Sequence, residues 1–277
     1  MSGKRLYLDT TAGADRIFGL PETRQALKEV CHDHVLLSSV YVWDEFRRTF
    51  IGVAVLCHTM LLNSMVKGES LRDGLQRVRQ ELNFKPRRKD RAWDILAYMQ
   101  DPPIRSLENA VDRLEKNIRF TFRRLFFRGL QLPLQDTVHC RMTDESPTII
   151  PPDGPSGYTR FEMRSGCSKD APRDCGIVTF WENNVEALRL VAAMAIPTGA
   201  SKATRKELSQ VRDEARKIAT AIDGRVTESY GETCYVHLGD LVITLECPRD
   251  VPIVTSNVRH FAPLTYALSR PKPISYR

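Results

Sequence analysis

Leu6-Tyr7-Leu8-Asp9-Thr10, near the start of the chain, and Val251-Pro252-Ile253-Val254-Thr255-Ser256-Asn257, near its end, decide how this sequence is read. Each is a short apolar run that stops at a small polar or acidic group, the pattern of a buried strand and its exit. In an open parallel sheet, ligands bind just beyond the carboxyl ends of the strands, where such groups collect. Two further acids stand where they can join them. Glu45 follows soon after Val35-Leu36-Leu37-Ser38-Ser39, and Asp240 lies inside His237-Leu238-Gly239-Asp240-Leu241-Val242-Ile243. A carboxylate cluster at that edge is what a hard divalent cation requires.

Working outward, residues 6–9 read as a first strand and residues 21–31 as a helix, with Pro21 suited to a first helical position. Residues 35–38 form a second strand. Ser39 then caps a helix running through Val42, Phe46 and Phe50, which places Glu45 in its first turns. After Gly52 long helical segments follow, at about 70–82, 89–99 and 106–128. In the last, Leu107, Val111, Leu114, Ile118, Phe122 and Leu125 recur at spacings of three and four, an amphipathic stripe. Residues 131–176 are rich in Pro, Gly, Ser and Asp, including Pro151-Pro152-Asp153-Gly154-Pro155, and read as an exposed loop. Helical signals return at about 177–195 and 202–222. Arg225-Val226-Thr227 alternates like a short third strand, and a helix carrying Asp240 leads into a final strand at 253–255. The return to strand–helix–strand order predicts one α/β domain interrupted by a helical insertion, with no internal repeat.

Composition sets the outer limits. A chain of 277 residues, 42% hydrophobic, can bury a sizeable core in one or two domains. The opening Met1-Ser2-Gly3-Lys4-Arg5 leads straight into a strand without the apolar run of a signal peptide. The longest apolar stretch, Ile51 to Met65, is too short for a membrane span and contains His58 and Asn63, so it reads as a buried helix and no membrane partner is expected. Seven scattered cysteines, an odd count, predict reduced thiols and a cytoplasmic protein. Cys167 and Cys175, with His139 and Cys140 upstream, offer four zinc-type ligands but lack the tight CxxC unit of structural sites. Arg173 and Lys169 would lower a thiol pKa there, yet no general-base pattern accompanies them. No Gly-rich phosphate loop and no Ser/His/Asp order supports a small-molecule enzyme.

Charge is confined. Of the net +7, all resides between Arg72 and Arg128, where 15 Lys and Arg face 8 Asp and Glu; the remainder balances at 26 of each. A basic excess held in one segment suits a polyanion better than a small neutral substrate. Arg87, Arg88, Lys89, Arg123 and Arg124 are the candidate nucleic-acid contacts within it. Aromatics of the same region (Phe84, Trp93, Phe120, Phe122, Phe126, Phe127) either stack on bases or, at helical spacing, pack into a core.

Leu8-Asp9-Thr10, the acid in Trp43-Asp44-Glu45-Phe46, Asp240 before Leu241-Val242-Ile243, and Val254-Thr255-Ser256-Asn257-Val258-Arg259-His260-Phe261 together resemble the PIN-domain nuclease family. The closing run is the most specific part. The likeness covers the two ends of the chain and not its middle. It implies a Rossmann-like three-layer α/β/α fold with a short, mostly parallel sheet, residues 1–52 and 177–277 forming the core and 53–176 a basic helical insertion and loop. It further implies metal-dependent cleavage of phosphodiester bonds in single-stranded or structured nucleic acid, RNA more than DNA. On the matching positions, Asp9, Glu45 and Asp240 would hold Mg²⁺ or Mn²⁺, directly or through water. Asn257, where the family has an acid or an amide, would orient water or substrate, and Thr255 or Ser256 would hydrogen-bond to a ligand or phosphate. A toxin role beside an antitoxin, RNA processing, defence against foreign nucleic acid and a homo-oligomeric state are all compatible with that family.

The chemistry agrees, since magnesium keeps several waters and uses few carboxylates. Duller roles exist for each residue: Asp9 as a helix cap, Glu45 as a surface residue of its helix with adjacent Asp44 competing for its role, Asn257 as a turn residue, His237 as an ordinary histidine one turn before Asp240. Asp240 is the hardest to dismiss, because a carboxylate on an apolar helix needs compensation. The alternative overall reading is a catalytically inactive PIN-like binding or scaffold module, motivated by Asn257 and the long insertion.

Overall fold

The computed structural model describes residues 4–83, 86–131, 147–151, 157–162, 176–224 and 238–277, with 86–89 as backbone alone. The expected strand at Arg225-Val226-Thr227, the set His139, Cys140, Cys167 and Cys175, and His237 and Phe84 lie outside the described residues. In chain order the strands are β1 (Arg5–Leu8), β2 (Val35–Leu37), β3 (Thr148–Ile150), β4 (Arg160–Glu162) and β5 (Ile253–Val254). β1 is the centre of a three-stranded parallel sheet of order β2-β1-β5, and β3 and β4 form a separate antiparallel pair. Leu6 pairs with Leu36 on one side of β1, and Leu8 with Val254 on the other. The chain therefore leaves β1 to one side and returns to the other, and the crevice between β1 and β5 is the switch point of the sheet.

Both outer strands carry a further bridge, so neither edge is bare. Gln131 donates its N–H to Leu36 O at 2.9 Å beside β2. Ile274 lies beside β5, donating to Ile253 O at 2.8 Å and accepting from Thr255 N–H at 3.0 Å.

Two helices, α1 (Thr10–Phe18) and α2 (Pro21–Cys31), connect β1 to β2. The first of these is absent from the expectation above, and the expected strand at 6–9 ends one residue early, because Asp9 leaves the ladder to cap α1. Ser39 caps α3 (Val40–Phe46) as expected, accepting from Val42 N–H at 3.2 Å. There is no break at Gly52. α3 passes through a π-helical turn (Arg47–Ile51) into α4 (Gly52–Val66), a rod of 27 residues. The rod is longer than the apolar stretch alone suggested, and long and apolar enough by composition to cross a membrane (mean hydropathy 1.7), with half of that window buried inside the fold.

α5 (Leu71–Leu82), α6 (Pro86–Tyr98), α7 (Leu107–Lys116), a second π-helical turn (Asn117–Thr121) and α8 (Phe122–Phe127) follow. Ser70 and Ser106 cap α5 and α7. These helices share one buried core with the rod and the sheet, reaching from Tyr7 to Leu264. Its centre is aromatic: Phe18, Trp43, Phe46, Phe50, Tyr98, Phe122, Phe126 and Phe127 stand with ring centroids 4.9–6.1 Å apart. Phe122 and Phe126 are therefore core residues and unavailable to bases, whereas Trp93 and Phe120 are exposed. α8 lies so close to α1 that a Cβ on Gly13 would fall 2.6 Å from the Phe126 ring, so this crossing requires glycine.

The expected helix at 177–195 is two, α9 (Gly176–Asn183) and α10 (Val185–Ala192), parted at Asn184, whose side chain bonds back to Phe180 O at 2.8 Å. α11 (Lys202–Asp223), α12 (Gly239–Glu246) and, after β5, α13 (Val258–Ala267) complete the described chain. The fold is mixed α/β, mostly helical, around a small parallel sheet.

Candidate active site

The crevice is built first from the residues that follow β1 and β5, and then from helices packed beside them. Asp9 is the first residue past β1, and its carboxylate is only 2% exposed. It accepts from the Ala12 N–H at 2.8 Å, from the Thr11 hydroxyl at 2.9 Å and from the Thr255 hydroxyl at 2.7 Å. Thr255 is the first residue past β5, and its oxygen in turn accepts the Asn257 N–H at 2.8 Å. The Thr11 hydroxyl receives the Ser256 N–H at 3.2 Å, so the two strand exits are laced together through Asp9. Burial pushes the Asp9 carboxyl from 3.8 up to about 7; the hydrogen bonds pull against this, and the nearby Asp240 charge adds to it.

Glu45 projects from the second turn of α3 and takes a hydrogen bond from the Thr10 hydroxyl. Its carboxyl is also raised, first by burial and then by Asp240, while Thr10, Arg48 and Arg91 pull it down. The neighbouring Asp44 forms an ion pair with Arg47 at 3.4 Å, and of the two acids it is Glu45 that lines the pocket. Asp240 opens α12. Its neighbour Gly239 lets α12 lie against α3, since a Cβ there would stand 3.2 Å from the Tyr41 hydroxyl and 3.5 Å from Glu45 Oε1.

His260, on α13, bridges two of the acids. Its Nδ1 is 3.2 Å from Asp240 Oδ2, and its Nε2 is 2.7 Å from Glu207 Oε2 on α11. The hydrogen bond to Asp240 leads the forces that raise this imidazole above its ordinary 6.5, against burial and with Glu207 assisting. The Asn257 carboxamide lies 2.9 Å from the same Nδ1.

Asp9, Thr10, Thr11, Glu45, Glu207, Asp240, Asn257 and His260 line one pocket of about 760 Å³. Asp15 and Asp94 add acids to its wall, and Arg91, Arg259 and Arg277 add cations. Arg277 grips both Asp15 oxygens at 2.7 and 2.6 Å, and Arg91 rests 5.2 Å over the Phe50 ring.

Of the residues selected from sequence, Asp9, Glu45, Asp240, Ser256 and Asn257 share this pocket. Thr255 is fully buried against Asp9, so it serves the carboxylate rather than a phosphate. Arg123 and Arg124 are exposed on α8 and do not line the pocket. Arg87, Arg88 and Lys89 belong to the first turn of α6, their side chains outside the described residues; the same helix sends Arg91 and Asp94 to the pocket. His260, Glu207, Asp15, Arg91 and Arg277 were not selected. Only His260 carried a signal, one turn past Asn257 in the closing run.

Among the described residues, no three His, Cys, Asp or Glu side chains are placed closely enough to hold a metal ion between them. The chemistry of the donors nonetheless fits a hard divalent cation. Asp9, Glu45 and Asp240 are oxygen donors; burial first, and the Asp240 charge after it, hold Asp9 and Glu45 above the usual carboxylate range, a cost that positive charge in the pocket would relieve. No family model matches the sequence, and neither the curated proteins nor the solved structures contain a match.

Proposed function

We propose that this protein is a Mg²⁺- or Mn²⁺-dependent nuclease with a PIN-like core, acting on single-stranded or structured nucleic acid and on RNA more than DNA. One observation carries the reading. Three carboxyl groups from three distant segments, Asp9, Glu45 and Asp240, line one pocket at the switch point of a parallel sheet, where burial and then the Asp240 charge raise Asp9 and Glu45. Carboxyl groups whose proton affinity is raised by burial and by a neighbouring acid, inside a cleft, mark a working site more often than a structural one. The parallel order and the helical crossover from β1 to β2 support a Rossmann-like three-layer arrangement.

Asp9, Glu45 and Asp240 would hold the ion, which when bound activates water and neutralises phosphate charge. Thr11, Thr255 and the Ala12 N–H fix the Asp9 carboxylate in one orientation, and Thr10 does the same for Glu45. Asn257 faces the pocket as a neutral hydrogen-bonding group able to orient a water or a phosphate oxygen. Arg91 supplies positive charge from the basic segment at the pocket wall, where the acids alone would repel a phosphodiester. His260 occupies Asp240 and Glu207 as an internal counterion.

The test is incubation of end-labelled RNA and DNA single strands with Mg²⁺ or Mn²⁺, beside Asp9→Asn and Asp240→Asn. Cleavage by the wild type, lost in both variants and in EDTA, is the expected result. Cleavage that persists in both variants refutes the assignment. Metal-independent nucleic-acid binding without turnover would favour the scaffold reading instead.

A further inference from the structure

A second cavity begins on the far side of Arg259, which lines both. It measures about 1010 Å³ and lies where α10, α11 and α13 meet. Leu190, Met194, Leu208, Pro263 and Tyr266 supply most of its apolar wall, and none of the described residues that line it is acidic. Tyr266 is 89% exposed. It stands seven residues after Arg259, two helical turns, so the phenol ring and the guanidinium share one face of α13.

The rim is basic. α11 begins at the groove residue Ser201, and Lys202, Arg205 and Lys206 in its opening turns are all exposed. Arg205 is held at that rim by a 2.8 Å hydrogen bond from its Nε to Ala200 O, itself a groove residue. An isolated exposed aromatic is ordinary on a protein surface. Here the ring faces an apolar trough that is edged by cations and adjoins the carboxylate pocket.

We propose that this groove is a subsite for one unpaired base of a single-stranded nucleic acid, an inference that rests on the nuclease reading above. The base stacks on Tyr266, while Arg259 and the cations of α11 take the phosphates on either side of it. The strand then continues past Arg259 into the acidic pocket, with positive charge at the point where repulsion by the carboxylates begins. A duplex cannot use the groove, because its bases face each other and not the protein. The subsite thus gives a preference for single strands that the metal-binding acids cannot supply.

The experiment is fluorescence anisotropy in EDTA, where no strand is cut, using a labelled oligouridylate and a matched RNA duplex. Tyr266→Ala should weaken single-strand binding by roughly ten- to a hundredfold with the melting temperature unchanged, in line with the loss of one stacked base. Tyr266→Trp should retain the affinity, and Arg259→Gln should flatten the salt dependence by about one counterion. If Tyr266→Ala binds single strands as well as the wild type does, while the wild type cuts RNA, the subsite is refuted and the nuclease reading stands. A wild type that neither binds nor cuts either substrate removes both. Capture of phosphatidylserine vesicles that is lost in Tyr266→Ala, with oligouridylate binding untouched, would give the groove to lipid and overturn the proposal.

Discussion

Replacing Asp9 by asparagine should make the metal-free protein more stable while abolishing its activity. Burial raises this carboxyl from 3.8 to about 7 in the folded state. Between those two pH values the unfolded chain has released the proton and the folded chain keeps it, so the folded state binds more protons and stability falls as pH rises. Above about pH 7 the full penalty stands. A gap of roughly three pH units, at about 1.4 kcal/mol each, amounts to about 4 kcal/mol. In a chain of this size that corresponds to about 8 °C in melting temperature. Asparagine preserves the local bonding, because its oxygen can accept from Ala12 N–H and its amide can donate to a rotated Thr255 hydroxyl. Thermal melts in EDTA near pH 4 and pH 8 would read the effect. The variants should coincide at the acid end and separate at the alkaline end, with the asparagine protein higher. Mg²⁺ should raise the wild-type midpoint at pH 8 and leave that of the variant unmoved. An Asp9→Asn protein that melts at or below the wild type at pH 8, or keeps the same pH slope, refutes the reasoning.

Two further outcomes follow from buried groups. His58 is fully buried on α4 against the edge of the Phe161 ring, 5.0 Å between centroids, and burial lowers its imidazole from 6.5 to about 4. As pH falls through 6.5 the unfolded chain takes up a proton that the folded chain refuses, so stability present above 6.5 is lost on the way to pH 4, by about 3 kcal/mol; urea titrations near pH 4.5 and 7 should show this limb flattened in His58→Leu. Glu45→Gln should abolish cleavage without lowering the melting temperature above neutral pH, because burial raises this carboxyl as it does Asp9. Asp44→Asn instead breaks the largely buried pair with Arg47 and should destabilise by about 3 kcal/mol while the folded fraction still cleaves. Paired melts and cleavage assays on the two variants distinguish the adjacent acids, and equal loss of cleavage in both would contradict the geometry.

The parts of the site legible in sequence are those that a strand announces. Asp9, Ser256 and Asn257 follow apolar runs that could only be buried strands, and Glu45 follows a strand and a serine cap by a fixed distance. Their meeting point is dictated by the parallel pairing of β1 with β5. Glu207 and Arg91 could not be found in this way. Each is one charged residue on a long amphipathic helix, and only tertiary packing turns it toward the pocket. α1 was hidden for a different reason. Thr10-Thr11-Ala12-Gly13 has weak helix propensity, and the helix depends on the Asp9 cap and on α8 seated against Gly13. α13 was masked by Pro263, which lies in its interior. The confinement of positive charge to residues 72–128 was read correctly as composition, but composition carries no direction, and among the described residues of that segment Arg91 is the cation that lines the pocket.

The π-helical turn at Arg47–Ile51 has a consequence for ancestry. A wide turn holds one residue more than the α-helix it interrupts, so it absorbs an insertion without rotating what lies before or after it. A relative one residue shorter in this stretch could therefore carry an unbroken α-helix, with its counterparts of Glu45 and of the buried Val53, Ala54 and Cys57 facing as they do here. An alignment of such a pair would open a single-position gap between Phe46 and Gly52. Deletion of one residue there would be a milder event than the same deletion anywhere else along the rod, where every side chain beyond the cut would swing by about 100°.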